Sequence, residues 1–320
     1  MGRYIIRRLI QAVPLLILIS IAMYGLIRLL PGGPDQVIFN PHLSAAGRAA
    51  LRAKFGLDQP VPIQYLKWAA NMLQGDFGYS FQTNQPVSEI LAQRFPNTLE
   101  LFVSALVLAL ILAIILGIIA AVRQGSTIDF TLMALSYLGI STPVFVLGLV
   151  AQNIFAVQLH WLPTSGTATL GYTLSPVDSF IDHLQHLILP MLVLAIAFIA
   201  GWSRYMRSSM IEVIKQDYMR TAKAKGLAPT AALFRHAIRN AVIPLITVVA
   251  INFGGVAGGA AITEGVFAWP GMGLQFLQSL DARDYPVLMA MLVLSAVFVV
   301  AFNLIADILY AVMDPRIRYS

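Results

Sequence analysis

The chain has 320 residues, of which 58% are hydrophobic and only 11% charged, and its net charge is +6 at neutral pH. Soluble globular proteins carry about 25% charged residues, so this composition excludes an ordinary soluble domain and indicates a protein that crosses a membrane several times. The absence of cysteine excludes disulfide frameworks, thiolate nucleophiles and cysteine-ligated metal sites.

Six apolar segments are long enough to cross a bilayer, which requires about 20 residues of helix. Their continuity excludes barrel strands, which span about 10 residues and alternate in polarity. The predicted fold class is therefore all-α, a polytopic membrane protein with six transmembrane helices. The predicted crossings are residues 9–30, 101–122, 131–159 as one helix long enough to tilt, 187 to beyond 202, 241–262 and 286–309.

The first crossing begins in "MGRYIIRRLIQAVPLLILISIAMYG", a basic start and an apolar run that signal peptides and membrane anchors share. Its apolar run exceeds the roughly 7 to 15 residues of a signal-peptide core, and no small-x-small cleavage site follows it. We therefore expect a retained anchor.

The distribution of charge predicts the orientation, because Lys and Arg accumulate in cytoplasmic loops. With a cytoplasmic N-terminus, six crossings place 14 of the 21 basic residues inside, eight of them between residues 204 and 240. Ten of the 15 acidic residues then lie outside. Both termini are predicted to be cytoplasmic, and the basic balance requires no nucleic acid partner.

The external segment 31–97 is too long for a simple connector. Its pattern "LSAAGRAALRAKFGLDQPVPIQYLKWAANMLQGDFGYSF" predicts short amphipathic helices broken by Gly and Pro. One interpretation is a cap on the membrane surface, with Tyr65, Trp68 and Tyr79 at the interface. The other is a docking surface for a soluble partner, and both stay open.

The cytoplasmic segment 217–244, "DYMRTAKAKGLAPTAALFRHAIRNAVIP", predicts two short helices that turn at Gly226. Arg235 and Arg239 lie one helical turn apart on one face. A different face is predicted to be apolar, at positions Leu227, Ala231, Phe234, Ile238 and Ala241. Such a segment is either a solvated basic loop or a docking element.

Ionisable residues are sparse in the crossings and lie near their ends, at Arg28, Glu100, Glu264 and Asp307. We expect them to be boundary anchors or structural pairs. A secondary transporter driven by protons usually keeps an acidic residue or a histidine near the bilayer midplane, and no predicted helix centre has one. The pattern argues against an ion-coupled carrier.

An intramembrane enzyme is the other alternative, because several His and Asp residues flank the third external loop. Their spacing is not that of the H-E-x-x-H metalloprotease motif, and no G-x-S-x-G elbow occurs. We predict polar loop residues, with no catalytic residue and no metal site. The residues concerned are His160, His183, His186, Asp178 and Asp182.

The cytoplasmic segment resembles a known pattern. Arg220, Thr221 and Ala222 are followed by three residues, Gly226, nine residues and "HAIR" at 236–239. This spacing is similar to the loop Glu-Ala-Ala, three residues, Gly, nine residues, Ile-x-Leu-Pro of permease subunits in binding-protein-dependent ATP-binding-cassette importers. The chain departs from it at Arg220, Thr221 and two positions of "HAIR", where His236 replaces Ile and Arg239 replaces Pro.

Ten further segments, in order over nearly the whole chain, resemble the first permease subunit of dipeptide and oligopeptide importers. They are "RYIIRRLIQAVPLL", "LLPGGP", "FGLDQPVPIQYLKW", "GDFGYSF", "FPNTLEL", "STPVFVLGL", "RTAKAKGL", "RHAIRNAVIP", "ITEGVFAWPGMG" and "DPRIRY".

The resemblance implies a short coupling helix that sits in a groove on a separate ATPase subunit. This agrees with the sequence, which has no G-x-x-x-x-G-K-[ST] loop to hold the phosphates of a nucleotide. No cofactor is expected in this chain, and ATP and Mg are expected on the partner ATPases. The predicted coupling residues are Arg220, Thr221, Ala222, Lys223, Lys225, Gly226, His236, Ile238 and Arg239.

The glycines of the fifth crossing form two small-xxx-small pairs, Gly254 with Gly258 and Gly255 with Gly259. One interpretation is plain helix packing. The other, under the resemblance, is that this face meets a second permease and lines the pathway between the two subunits.

The resemblance implies a complex of this chain, a second related permease, two ATPases and an external solute-binding protein, in the cytoplasmic membrane of a bacterium or archaeon. Short peptides are the expected cargo, with glutathione and nickel complexes as alternatives in the same branch. The predicted parts of the chain are 1–98, with the first helix and the external segment; 99–314, the five-helix core with a coupling loop at about 208–240; and a tail, 315–320.

Overall fold

The computed structural model describes residues 2–29, 58–172 and 174–313, and its regular structure there is helical. The α-helices are α1 (Gly2–Leu29), α2 (Val61–Leu73), α3 (Val87–Val122), α4 (Thr127–Ser141), α5 (Val144–Ala151), α6 (Pro176–Ile214), α7 (Asp217–Ala224), α8 (Pro229–Ala232), α9 (Ile238–Phe253), α10 (Ala261–Val266), α11 (Met272–Asp281) and α12 (Tyr285–Met313). Segment 31–57 of the external region and the tail 315–320 lie outside the described residues.

Five stretches in the described part are long and apolar enough to cross a bilayer, and they lie in α1, α3, α6, α8–α9 and α12. A sixth candidate is the pair α4 and α5, which bends by 101°. The predicted all-α, multi-pass class is therefore confirmed for the described residues. Helix α3 runs without a break past residue 98, and the predicted division of the chain at that point stays a prediction.

The third crossing is not the single tilted helix that the apolar run predicted, so that prediction is wrong. Pro143 has no amide hydrogen to donate, and a proline pushes the residue before it out of the α conformation. Thr142 accordingly has φ −85° and ψ 123°, and the chain turns there from α4 into α5. Hydropathy alone does not register this break.

The fifth crossing also differs from the prediction, which extended it to residue 262. Helix α9 ends at Phe253, a 3-10 turn occupies Gly254–Gly258, and Gly259 has φ +70°. A Cβ at Gly259 would lie 2.4 Å from the amide nitrogen of Gly273. The backbones of Gly259 and Gly273 are therefore in contact with no side chain between them, and the fifth membrane-spanning stretch ends before this contact.

The core is built on the seam between α3 and α6. Ala105, Ala109 and Ala113 are fully buried on α3, which lets the two backbones approach. The closest point is Gly117, where a Cβ would lie 2.6 Å from Cβ of Met206 and 2.9 Å from the carbonyl oxygen of Ser203. Larger side chains on other faces of α3 remain exposed, which suits a surface that lipid or another subunit covers.

At one end of the molecule, α2 packs against α1. Tyr24 packs on Trp68 with 5.5 Å between ring centroids, and Arg28 donates a hydrogen bond to Gln64. The helix predicted around "VPIQYLKWAANML" is therefore present as α2.

A second fastening joins the turn before α3 to the start of α12. Ser80 and the amide of Phe81 both donate hydrogen bonds to the carboxylate of Asp284, which is buried. Two segments that the charge pattern placed outside, one before α3 and one before α12, thus meet at one end of the bundle.

Two of the ionisable residues expected at crossing ends form pairs. Asp307 on α12 lies 3.1 Å from Arg8 on α1. Glu100 on α3 lies 2.7 Å from Nε2 of His183 on α6. These contacts join different helices at opposite ends of the molecule.

The α3–α6 seam can be tested with two matched alanine substitutions. We expect Gly117→Ala to lower stability by about 1–3 kcal/mol, because the new methyl group overpacks the seam. Gly25→Ala in α1, where no atom lies within 4 Å of the added Cβ, is expected to be neutral or slightly stabilising. Thermal unfolding of the purified full-length chain in mild detergent measures both, and equal unfolding midpoints would contradict the packing described here.

Candidate coupling site

The segment 217–244 that the sequence singled out forms a helix, a turn and a second helix. Helix α7 is eight residues long, the chain reverses at Gly226, and α8 begins at Pro229. The turn is where the sequence predicted it. The second helix is not short, however, because α8 continues through a π-helical turn into α9 as one span from Pro229 to Val256.

Gly226 is required by the backbone of this turn. Its φ is +84°, a left-handed conformation that residues with a Cβ adopt at a cost. The amide of Leu227 donates to the carbonyl of Ala222 at 3.2 Å, the bond that characterises a Schellman helix ending. No atom lies within 4 Å of an added Cβ, so the space over the turn is open in this chain.

Helix α7 has one buried and one exposed side. Met219 is 2% exposed and belongs to the main core, and Leu227 packs against the same core. Arg220 and Thr221 point outward, with Arg220 3.6 Å from Asp217 on the same helix. The buried side of α7 thus holds the helix against the core, and its exposed side makes no contact with that core.

The second half of the segment places its side chains differently from the prediction. Ala232, Ala237 and Ala241 are buried, whereas Phe234, predicted on the apolar face, is 71% exposed. The π-helical turn Leu233–Ala237 adds a residue to the helical repeat and so shifts the buried face. The predicted face is therefore wrong at Phe234 and also at Ala231, which is exposed.

The other predicted coupling residues divide into exposed and half-buried ones. Ile238 packs against the core, and His236 is half-buried. Asn240 links the two halves of the segment by donating to the hydroxyl of Tyr218 at 3.2 Å. The side chain of Lys223 lies outside what the structure describes. The exposed basic positions are Arg220, Lys225, Arg235 and Arg239.

An ion pair that the sequence analysis missed fixes the base of α6, which leads into α7. Arg207 donates to both oxygens of Asp129, at 2.6 and 2.7 Å. Asp129 also accepts from the amide of Gly125 at 3.0 Å, while Ser126 caps α4. The capping pattern Ser126-x-x-Asp129 was visible in the sequence, but its partner 78 residues away was not.

The four glycines predicted to form a helical face lie instead in the 3-10 turn and its end. An added Cβ at Gly254 would lie 3.1 Å from Cα of Val299 on α12, so this glycine packs inside the chain. Gly255 and Gly258 are exposed. The α-helical repeat on which the two predicted small-xxx-small pairs rest is absent from Gly254–Gly258. A contact of Gly255 and Gly258 with a second permease stays a prediction.

The buried carboxylate of Glu264 lies next to this turn. The sequence predicted only a boundary anchor or a structural pair at this position. Glu264 is 0% exposed and accepts from Thr98 at 2.9 Å, the amide of Ala260 at 3.1 Å and the amide of Leu274 at 3.0 Å. It thereby ties α10 to α3 and α11. Gly271 leaves room for it, because a Cβ there would lie 2.4 Å from Oε2.

The external His and Asp residues serve loop contacts in the structure. Asp182 accepts from the amide and the hydroxyl of Thr169, and His183 lies against Glu100. His186 is 2.8 Å from the carbonyl of Asp182. In the described ranges, no three His, Asp or Glu side chains gather as metal ligands.

Comparison with known families covers almost the whole chain. Residues 113–319 match the family described as binding-protein-dependent transport system inner membrane component. Residues 1–102 match the N-terminal region of such membrane components.

Similar curated proteins match over their full length and that of this chain. The oligopeptide transport system permease protein AppB of Bacillus subtilis is 44% identical, and the probable peptide ABC transporter permease protein y4tP of Sinorhizobium fredii is 40% identical. The glutathione transport system permease protein GsiC of Salmonella typhimurium is 39% identical. Each alignment covers 100% of both chains.

The buried ion pair should couple far more strongly than the exposed pair on α7. In a double-mutant cycle of Asp129→Asn and Arg207→Gln, we expect a coupling energy of about 1–3 kcal/mol, because each single change strands a buried partner. The matched cycle of Asp217→Asn and Arg220→Gln should show almost none, since both groups are in solvent. Thermal unfolding in detergent measures the coupling energy in both cycles. Equal coupling energies would refute the stabilising role assigned to the Asp129–Arg207 pair.

Proposed function

The chain belongs to the family of binding-protein-dependent transport system inner membrane components, and we propose that it forms half of the translocation pathway of an ATP-driven importer for short peptides. The substrate class is inferred from full-length similarity to permeases whose names specify oligopeptides and peptides. Glutathione is a second candidate, because GsiC is 39% identical over the whole chain.

In this proposal the chain is a non-catalytic subunit of a bacterial or archaeal cytoplasmic membrane. Its partners are a related permease, two ATPases and an external solute-binding protein. The absence of a phosphate-binding loop from the sequence supports an energy source on another polypeptide. Membership of the family also argues against the ion-coupled alternative.

The exposed face of α7 and the turn at Gly226 are the proposed contact with the ATPase. Two features support this assignment. The segment is anchored to the core through Met219 and Leu227, so a force on α7 reaches the membrane helices. Its outer surface is basic, with Arg220, Lys225 and Arg235 exposed, which suits an acidic groove on the partner.

The proposed cycle is alternating access. Docking of the loaded binding protein and ATP-driven closure of the ATPases turn the pathway from inward-open to outward-open, and hydrolysis resets it. The buried contacts of Glu264 and Asp284 hold the outer elements together, while the pathway itself is proposed to lie between this chain and the second permease, at the exposed Gly255 and Gly258.

Coupling can be tested at Gly226 with two side chains of the same shape. Gly226→Asp and Gly226→Asn strain the left-handed backbone alike, because both residue types tolerate it better than most. We expect the aspartate to abolish uptake and the stimulation of ATP hydrolysis by the binding protein, since it places a negative charge against the ATPase groove. The asparagine variant should retain most of both activities.

The comparison is made in the reconstituted complex, with membrane abundance as the control for folding. If Gly226→Asp supports full uptake, the segment is a connector and not a coupling element. Loss of coupling in both variants to the same extent would assign the effect to the backbone turn and count against an electrostatic contact.

Orientation can be tested with single cysteines, because the chain has none of its own. We expect Ala228→Cys, beside the coupling turn, to resist a membrane-impermeant thiol reagent in intact cells and to react after lysis. Leu170→Cys, at an external-loop position that is 90% exposed, should react in intact cells. The reverse pattern would overturn the proposed topology.

A further inference from the structure

A cleft between α3, α4 and α6 has an interior that suits hydrocarbon. Its volume is about 110 Å³, and its lining includes Leu116, Leu132, Met133 and Ile196. The two serines in the lining bond to each other, with 3.2 Å between the hydroxyls of Ser136 and Ser203. Because no polar group in the wall is left without a partner, the cleft offers nothing to water or to a polar solute.

A cationic side chain lies next to the lining residue Ser203 and has no counter-ion among the described residues. Arg204 follows Ser203 on α6, and its guanidinium carbon lies 5.1 Å from the ring centroid of Tyr137 on α4. Its Nε is buried and has no hydrogen-bond partner, and no carboxylate in the described residues lies within ion-pair distance. Arg207, one turn further on, is by contrast fully engaged by Asp129. A buried donor of this kind requires an acceptor, and the described residues supply none.

The location of Arg204 matches the boundary between headgroups and hydrocarbon. Arg207 is level with the turn at Gly125, where α3 has ended, and Arg204 lies about one helical turn, roughly 5 Å, deeper. Tyr137 and Tyr205 are both more than half exposed beside it, and tyrosine is enriched at this depth. The apolar cleft continues from Arg204 toward the bilayer centre.

We propose that this cleft binds one anionic glycerophospholipid from the leaflet nearest α7, with the phosphate on Arg204 and part of an acyl chain in the cleft. Basic pockets between transmembrane helices are known places for anionic headgroups. A helix of a partner subunit is about 10 Å wide and does not fit a space of this size. The site is separate from the proposed coupling surface and pathway, and it does not depend on which solute is carried.

The test is native mass spectrometry of the assembled importer complex in detergent, with added phosphatidylglycerol or phosphatidylcholine of identical acyl chains. We expect the unaltered complex to retain phosphatidylglycerol preferentially. Arg204→Gln should weaken that retention roughly tenfold, because one charge-assisted hydrogen bond is lost. Arg204→Lys should preserve the preference. Lys215→Gln removes an exposed positive charge at the C-terminal end of α6, roughly 16 Å beyond Arg204 along the helix, and should have no effect.

A second variant addresses the acyl chain and serves if Arg204→Gln does not assemble. Leu135 stands exposed at the rim of the cleft, and Leu135→Trp should block entry and reduce phosphatidylglycerol retention with all charges unchanged. Three results would overturn the proposal: equal retention of the two lipids by the unaltered complex, an equal loss in Lys215→Gln, and displacement of the lipid by inorganic phosphate at similar concentration. Unchanged retention in both Arg204→Gln and Leu135→Trp would also overturn it.

Discussion

The close contact of α3 with α6 is the constraint on which the rest of the structure depends. Gly117 and the buried alanines of α3 bring the two backbones together, so that Met206 fits where any side chain on α3 would collide. In a bilayer, association of helices relies on such packing because lipid is as apolar as the helices themselves. With α6 packed on α3, Arg207 is within hydrogen-bond distance of Asp129. Helix α7 follows directly after α6, so the position of α6 also determines that of α7.

The two ends of the bundle are held in different ways. At one end, Glu264 and Asp284 are buried carboxylates whose oxygens accept hydrogen bonds from backbone amides and hydroxyls. These contacts connect segments that are far apart in the chain. At the opposite end, α7 is anchored by Met219 but keeps an exposed basic face. An exposed basic face of this kind suits the proposed contact with an ATPase subunit.

Two breaks in the helices, at Pro143 and at Gly259, determine how the short helices α5 and α10 are positioned. Pro143 turns the chain by 101°, which brings α5 against α10, and a Cβ at Gly148 would lie 2.9 Å from a methyl group of Val266. Gly259 ends the fifth span and allows α10 to place Glu264 in the core. Pro143 lacks the amide hydrogen that an α-helix requires, and Gly259 has a left-handed φ, so backbone chemistry determines where both helices break.

The sequence by itself determined the all-α, multi-pass class of the protein and the turn at Gly226, because these depend on composition, periodicity and local backbone preference. It indicated the family through the resemblance of motifs along the chain. The break at Pro143 was within reach of the same reasoning and was missed when hydropathy was read alone. Other features belong to the tertiary structure only. The partners of Asp129, Glu264 and Asp284 are side chains and amides distant in the chain, and local pattern does not encode distant pairing. The exposure of Phe234 likewise depends on a π-helical turn. This turn shifts the buried face, and a prediction based on the regular α-helical repeat cannot include that shift.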